Sequence, residues 1–315
     1  MKKPLIVIAG PTACGKTAVS IELAKMVSGE IISADSMQVY KYMDIGTAKV
    51  TKEEMQGIPH YLVDELEPDE EYSVAVFKNK AKSYLDDIYA RNKMPLIVGG
   101  TGFYINALVY DNDFMSTQND YSLREELFEQ ANKFGNEYLH NKLKEVDPES
   151  AKAIHPNNVK RVIRALEYFS TTGKKISEHN KEEKLREPAY DTTFIILSTD
   201  RELLYERIEK RVDIMLENGL IDEVRGLLEK YSRDLVSMQG IGYKEIVGYL
   251  CGEYSLDEAV DILKKGTRHF AKRQITWFAN QCDGNWINVN CFESPKEIAN
   301  HIFNLIDYNK LGDKI

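Results

Sequence analysis

Cysteine is scarce in this 315-residue chain and never closely paired. Cys14, Cys251, Cys282 and Cys291 form no C-x-x-C, which excludes a zinc ribbon and a disulfide framework. Histidine is equally thin. His60, His140, His155, His179, His269 and His301 are scattered, no H-E-x-x-H occurs, and they read as isolated polar or packing residues. No apolar run approaches the ~20 residues of a membrane span. The apolar stretch behind Met1-Lys2-Lys3-Pro4 is too short for a signal peptide, so a cytoplasmic protein without a membrane partner is expected. Internal repeats and low-complexity tracts are also missing. So is a cationic excess: the formal net charge is −9, which taken alone argues against nucleic acid, because phosphate neutralisation needs Lys and Arg. That total hides a segregation. Acids crowd residues 65–71 and Asp86-Asp87, whereas bases crowd two helical stretches, so a local basic surface survives.

What is present begins with Gly10-Pro11-Thr12-Ala13-Cys14-Gly15-Lys16-Thr17, a G-x-x-x-x-G-K-T directly behind the apolar run of residues 5–9. A buried strand, a glycine turn and a helix starting near Lys16 give this motif its meaning. Inward-pointing N–H groups of the turn form an anion nest, and the helix N-terminus adds partial positive charge. Lys16 can reach outer phosphates and the Thr17 hydroxyl can ligate Mg²⁺. Val19, Leu23, Met26 and Val27 fall on one face of the helix that follows. The loop therefore grips two or more linked phosphates, of a molecule it does not specify.

Further along, short apolar runs alternate with helical patterns. Strands are expected at residues 5–10, 30–35, 61–63, 95–100, 194–197 and 286–289, and a helix over 72–91. The alternation predicts an α/β fold: a P-loop NTPase-like parallel sheet core with helices on both faces. Between Asp111 and Pro188 the strand signal vanishes, and helices broken at Gly135, Pro148, Pro156 and Gly173 take over. Residues 113–187 therefore read as an inserted all-helical domain, and 1–112 with 188–315 as a discontinuous core, mostly helical in its C-terminal part. Gly219 is placed to end a helix over 201–218, and Ser255 with Glu258 to box the start of a long one reaching about Gln281. Residues 311–315 read as a frayed tail.

Ligands of parallel sheets sit at the C-terminal strand ends, which gathers the Gly10 loop, Asp35 and the loop of residues 99–102 on one rim. Asp35 can bind Mg²⁺, act as a general base or cap the strand. Gln38 can present donor and acceptor to a purine edge. Gly99-Gly100-Thr101-Gly102 lets backbone approach a ligand, or is a plain strand-to-helix turn. Asp64-Glu65, ending an apolar strand, supports a rival: a Walker B pair for NTP hydrolysis. Arg207, Lys210 and Arg211 share a helix; Arg211 can clamp phosphate, or these are solvated charges partnered by Glu206 and Glu209. The two basic stretches are residues 157–164 and 264–274. In the second, Lys265, Arg268, His269 and Lys272 share a face, with Phe270, Trp277 and Phe278 elsewhere on that helix, a pattern suited to phosphates and stacked bases or to plain solvated surface.

Six blocks occur in one order: G-P-T-A-C-G-K-T at 10–17, S-A-D-S-M-Q-V-Y at 33–40, G-T-A-K at 46–49, G-G-T-G-F-Y at 99–104, G-I-G-Y-K-E at 240–245 and K-R-Q-I-T-W at 272–277. Together they resemble the bacterial tRNA dimethylallyltransferases, also called tRNA isopentenyltransferases, over roughly residues 4–280. Phe103 stands where Leu is commoner, and Cys14 fills a variable position. The resemblance implies transfer of a dimethylallyl group from dimethylallyl diphosphate to the exocyclic N6 amine of adenosine 37, beside the tRNA anticodon; a monomer needing no protein partner is the default expectation. It makes the loop at Gly10, Pro11, Thr12, Ala13, Cys14, Gly15, Lys16 and Thr17 a diphosphate holder, with Thr17 on Mg²⁺. Asp35 becomes the general base, supported by Lys16, Arg211 and Thr101. The flipped base would meet Asp35, Ser36, Met37, Gln38 and Thr101. The anticodon stem-loop would meet Arg124, Asn158, Val159, Lys160 and Arg161 of the insertion, and Gly242, Tyr243, Lys244, Arg268, Lys272, Arg273, Gln274 and Trp277 of the core. Two alternatives remain: prenyl transfer to a free adenine nucleotide, and a P-loop ATPase acting on RNA.

Overall fold

Six strands form one sheet: β1 (Pro4–Ala9), β2 (Gly29–Ser33), β3 (His60–Tyr61), β4 (Met94–Gly99), β5 (Asp191–Ser198) and β6 (Asn285–Asn288), ordered β3-β2-β4-β1-β5-β6. Every neighbouring pair is parallel, with Ala9 opposite Gly99 and Ile196 at the C-terminal end of β1. The computed structural model describes residues 2–112 and 121–306; the tail expected at 311–315 lies outside the described residues. The expected strand at 61–63 is shorter and begins at His60, because Leu62 and Asp64 both take a φ of 59°, which turns the chain out of the sheet.

Alternation within the strands builds two cores. Leu5, Val7 and Ala9 point to one face and Ile6 and Ile8 to the other, all nearly solvent-free. A strand buried on both faces needs the continuous apolar run that marked β1 in the sequence. Helices α1 (Lys16–Met26), α2 (Lys52–Met55), α3 (Val74–Ala90) and α4 (Gly102–Val109) come before the helical insertion. Phe77, Ala81, Leu85 and Ile88 of α3 fill the first core with Ile105 and Leu108 of α4, while Val19, Ile21 and Leu23 of α1 fill the second.

Residues 112–187 make a separate compact unit. It comprises α5 (Tyr121–Phe134), α6 (Asn136–Val146), α7 (Pro148–Ala153), α8 (Val159–Thr172) and α9 (Ile176–Lys184), around Leu127, Leu139, Leu143, Val162 and Ile163. One of its buried acids is a joint. Asp147, 1% exposed, accepts the Ser150 N–H at 3.0 Å and hydroxyl at 2.6 Å, and the Ser177 N–H at 3.0 Å and hydroxyl at 2.7 Å. Burial pushes this carboxyl up, but the four hydrogen bonds outweigh it and hold it below the ordinary Asp value. A depressed folded-state value stabilises above the unfolded value and is lost as pH falls through the folded one. Denaturation of the full chain followed by circular dichroism should therefore show Asp147→Asn less stable at pH 7, with the gap to wild type narrowing below about pH 4. A gap independent of pH would refute this.

The chain then completes the core unit with α10 (Arg201–Glu217), α11 (Leu220–Leu228), α12 (Tyr243–Leu250), α13 (Leu256–Gln281) and α14 (Pro295–Leu305), the last beside α1 in the second core. Helix α13 starts as its sequence specifies: the Ser255 hydroxyl accepts from the Glu258 N–H, and the Glu258 carboxylate accepts from the Ser255 N–H. Gly219, with φ of 96°, separates α10 from α11. Among the described residues no helix is long and apolar enough to cross a membrane.

Candidate active site

A cavity of about 890 Å³ opens at the C-terminal ends of β1, β2 and β4, wholly within the core unit. Gly15 takes a left-handed φ of 89° and launches α1 at Lys16, so the first helical turn lines the cavity with Lys16, Thr17 and Ala18. That turn offers free N–H groups and the positive end of the helix dipole. Thr12, Ala13 and Gly15 line it too, whereas the Pro11 and Cys14 side chains are buried and shape the loop. A side chain at Gly10 would meet the Leu197 carbonyl oxygen at 2.5 Å. Lys16 folds back on its own loop, its Nζ donating to the Gly10 carbonyl at 3.0 Å and the Pro11 carbonyl at 2.7 Å.

Asp35 stands just beyond β2 in the same cavity. Its Oδ1 accepts the N–H groups of Met37 at 2.8 Å and Gln38 at 3.3 Å, and among the described residues Oδ2 has no partner. One carboxylate oxygen is thus structural and the other available. Gln38 lines the cavity with its Nε2 committed to the carbonyls of Thr47 at 3.2 Å and Ala48 at 3.1 Å, so Oε1 is the face left for a ligand. Ser36 and Met37 do not line the cavity; Met37 lies over Gly240. Nor does Thr101 line it. Its N–H donates to the Ala34 carbonyl at 3.2 Å, beside Asp35, and its carbonyl starts α4.

Facing the loop, α10 contributes Arg207, Lys210 and Arg211. Their expected partner Glu209 binds Arg268 instead. Among the described residues no carboxylate pairs with Arg211, and burial pulls its guanidinium below the ordinary arginine value. A desolvated, unpaired cation across from an anion nest is a site short of an anion. Among the described residues no cluster of three or more His, Cys, Asp or Glu could cage a metal by itself.

The Walker B rival fails on geometry. Asp64 follows β3, at the sheet edge with β2 and β4 between it and β1, and pairs with Lys49 at 2.9 Å. Glu65 accepts the Leu62 N–H at 2.6 Å and pairs with Lys80 at 3.4 Å. Both carboxylates hold the chain together.

Several residues expected to meet RNA face inward. Tyr243 is fully buried with its hydroxyl on Glu223 at 2.6 Å, Trp277 packs over Gly102, Phe278 is buried, and Gln274 is only 7% exposed. Their positions in α12 and α13 alternate with solvent, which a motif read as a block does not reveal. Gly242 supplies the φ of 100° that precedes α12, and Lys244 is exposed. In the insertion, Arg124 makes a two-pronged pair with Glu167 at 2.7 and 3.1 Å, while Asn158, Lys160 and Arg161 are exposed and Val159 is half-buried. On α13, Lys264 and Arg268 pair with Asp213 and Glu209 of α10, leaving Lys265, His269, Lys272 and Arg273 without an ion pair among the described residues.

Glu223 carried no signal in the sequence. It accepts three successive N–H groups, of Asp44 at 2.9 Å, Ile45 at 2.7 Å and Gly46 at 3.0 Å, besides the Tyr243 hydroxyl. That latch holds the segment whose Thr47 and Ala48 carbonyls orient Gln38.

A parallel sheet with this loop at its C-terminal edge defines the P-loop class of α/β proteins. A family model described as IPP transferase matches residues 38–281, and one described as isopentenyl transferase matches 3–71. A tRNA dimethylallyltransferase of Acetivibrio thermocellus is 55% identical over 299 residues, 95% of this chain and 96% of its own. Among solved structures, the tRNA isopentenylpyrophosphate transferase of Bacillus halodurans is 44% identical with a TM-score of 0.74, covering 99% of this chain and 98% of its own. A eukaryotic dimethylallyltransferase acting on tRNA is 34% identical with a TM-score of 0.77, covering 91% of this chain and 74% of its own. The chain belongs to the IPP transferase family.

Proposed function

We propose that the chain transfers a dimethylallyl group from dimethylallyl diphosphate to the N6 amine of an adenosine, adenosine 37 beside the anticodon, in tRNA. One observation carries the reading: an available carboxylate oxygen of Asp35 shares a cavity with the phosphate loop and an unpaired Arg211. The amine nitrogen forms a bond to C1 of the allyl group as the C1–oxygen bond to diphosphate breaks. The electron pair leaves with the diphosphate, and the amine proton passes to Asp35 Oδ2. Lys16 and Arg211 stabilise charge developing on the leaving diphosphate. An adenine amine is a weak nucleophile, so removing its proton during attack with the carbon held close is the help that matters. Thr101 stiffens the rim next to Asp35.

Mg²⁺ fits a hydroxyl beside a phosphate-binding loop: Thr17, which lines the cavity, would help to hold it together with the diphosphate. When bound it supplies charge neutralisation on the departing oxygens.

The decisive assay offers labelled dimethylallyl diphosphate with tRNA, AMP or ATP in turn. Label is expected in tRNA only; label in AMP alone would make the enzyme a free-nucleotide transferase, and ATP turnover without transfer would restore the ATPase reading.

For the stem-loop, exposed Lys272 and Arg273 on α13 and Lys160 and Arg161 on the insertion supply the phosphate contacts. Lys272→Ala should lower the slope of log K against log salt by about 1. Arg268→Ala should change it less, since Glu209 already neutralises Arg268. Filter binding across a salt series checks this, and equal slopes for Lys272→Ala and wild type would remove that helix face from the interface.

A further inference from the structure

The peptide joining Pro11 to Thr12 is gripped at both ends. Its carbonyl accepts from Lys16 Nζ at 2.7 Å, and its N–H donates to Oε1 of Gln274 at 2.9 Å. The same Gln274 amide donates through Nε2 to the Gly100 carbonyl at 2.9 Å, tying the phosphate loop to the loop after β4. The fit is close: a side chain at Gly100 would stand 2.2 Å from Nε2 and 3.3 Å from the Gly10 carbonyl oxygen, so glycine there is what admits the amide. At 7% exposure Gln274 turns inward with both amide atoms already bonded to loop backbone, whereas Lys272 and Arg273 beside it are exposed.

Lys16 cannot hold the loop carbonyls and a phosphate at once with full strength. When it turns to a ligand, the Pro11 carbonyl loses its donor, and the Gln274 bond becomes the restraint on that peptide plane. We infer that Gln274 is a positioning residue: its amide keeps the phosphate loop in its anion-binding shape while Lys16 leaves the loop carbonyls for a diphosphate oxygen. The inference rests on the reading of this loop as a diphosphate holder. It removes Gln274 from the RNA-contacting set and assigns it to the other substrate. A preorganised nest binds more tightly than one that must be ordered on binding.

Calorimetric titration of the full chain with magnesium pyrophosphate, without RNA, tests it. Gln274→Met keeps the length and loses both hydrogen bonds; Gln274→Glu keeps the acceptor for Thr12 and loses the donor to Gly100. Pyrophosphate affinity is expected to fall about tenfold in Gln274→Met and further in Gln274→Glu, whose carboxylate also repels the anion. Affinity for an anticodon stem-loop RNA without pyrophosphate should stay within about twofold in both, a split that general loss of structure would not produce. If Gln274→Met fails to fold, the neutral Gly100→Ala decides the question, because its methyl would stand 2.2 Å from Nε2 and displace the amide: pyrophosphate affinity lost with RNA affinity kept supports the inference, and pyrophosphate affinity unchanged overturns it. Unchanged pyrophosphate affinity with weakened RNA binding would overturn the inference and return Gln274 to the RNA interface. If wild type itself binds no pyrophosphate, the diphosphate reading falls, and the inference with it.

Discussion

Asp35→Asn should lower kcat by about 10²–10⁴-fold while leaving tRNA affinity within a few-fold of wild type. Asparagine is the informative replacement because the two oxygens of Asp35 do different work. Oδ1 holds the turn through the Met37 and Gln38 N–H groups, and an amide oxygen can go on accepting both. Oδ2 is the available oxygen, and an amide nitrogen in its place cannot take the amine proton. Asp35→Ala removes both functions. It is expected to match the loss in kcat and to loosen residues 35–38 as well, adding a rise in KM for tRNA that Asn does not cause. Single-turnover kinetics with a parallel binding measurement separate the cases. If Asn loses binding as heavily as turnover, Asp35 is a binding residue and the proton goes elsewhere.

Local signals account for the parts of this protein that its sequence displayed. Strand β1 is apolar throughout because it is buried on both faces, and the Ser255–Glu258 box needs only a four-residue window. The phosphate loop is legible for the same reason, since its glycines and lysine act within one turn. What brings the rest of the site together acts over long separations. Gln274 meets Thr12 across 262 positions and Glu223 meets Ile45 across 178, and neither glutamine nor glutamate carries a local mark of such use. The basic stretch on α13 was visible as composition. Which of its cations are spent on α10 was not, because that depends on Glu209 and Asp213 arriving from another helix. Asp64-Glu65 misled for the converse reason: a strand-like run ending in two acids looks the same whether the acids face a metal or close salt bridges with Lys49 and Lys80.

Lys16→Ala is expected to reduce kcat/KM for dimethylallyl diphosphate by about 10²–10³-fold, the scale for one donor aimed at developing charge. Its ammonium starts the cycle on two loop carbonyls, so reaching a phosphate exchanges two neutral acceptors for a charged one. Charge-assisted bonds are the stronger kind, and the exchange favours the transition state most, where the bridging oxygen gains negative charge. Lys16→Arg should recover little. A planar fork cannot replace a compact ammonium seated between the Gly10 and Pro11 carbonyls, even though the charge is kept. The loss should fall on kcat more than on the affinity for pyrophosphate, because Arg211 remains unpaired across the cavity and still attracts the anion. Full-time-course kinetics with pyrophosphate inhibition read both quantities from one preparation. A Lys16→Ala variant with wild-type kcat would mean that the loop only stores the diphosphate, and that the charge released on bond cleavage is met by Arg211 and its α10 neighbours.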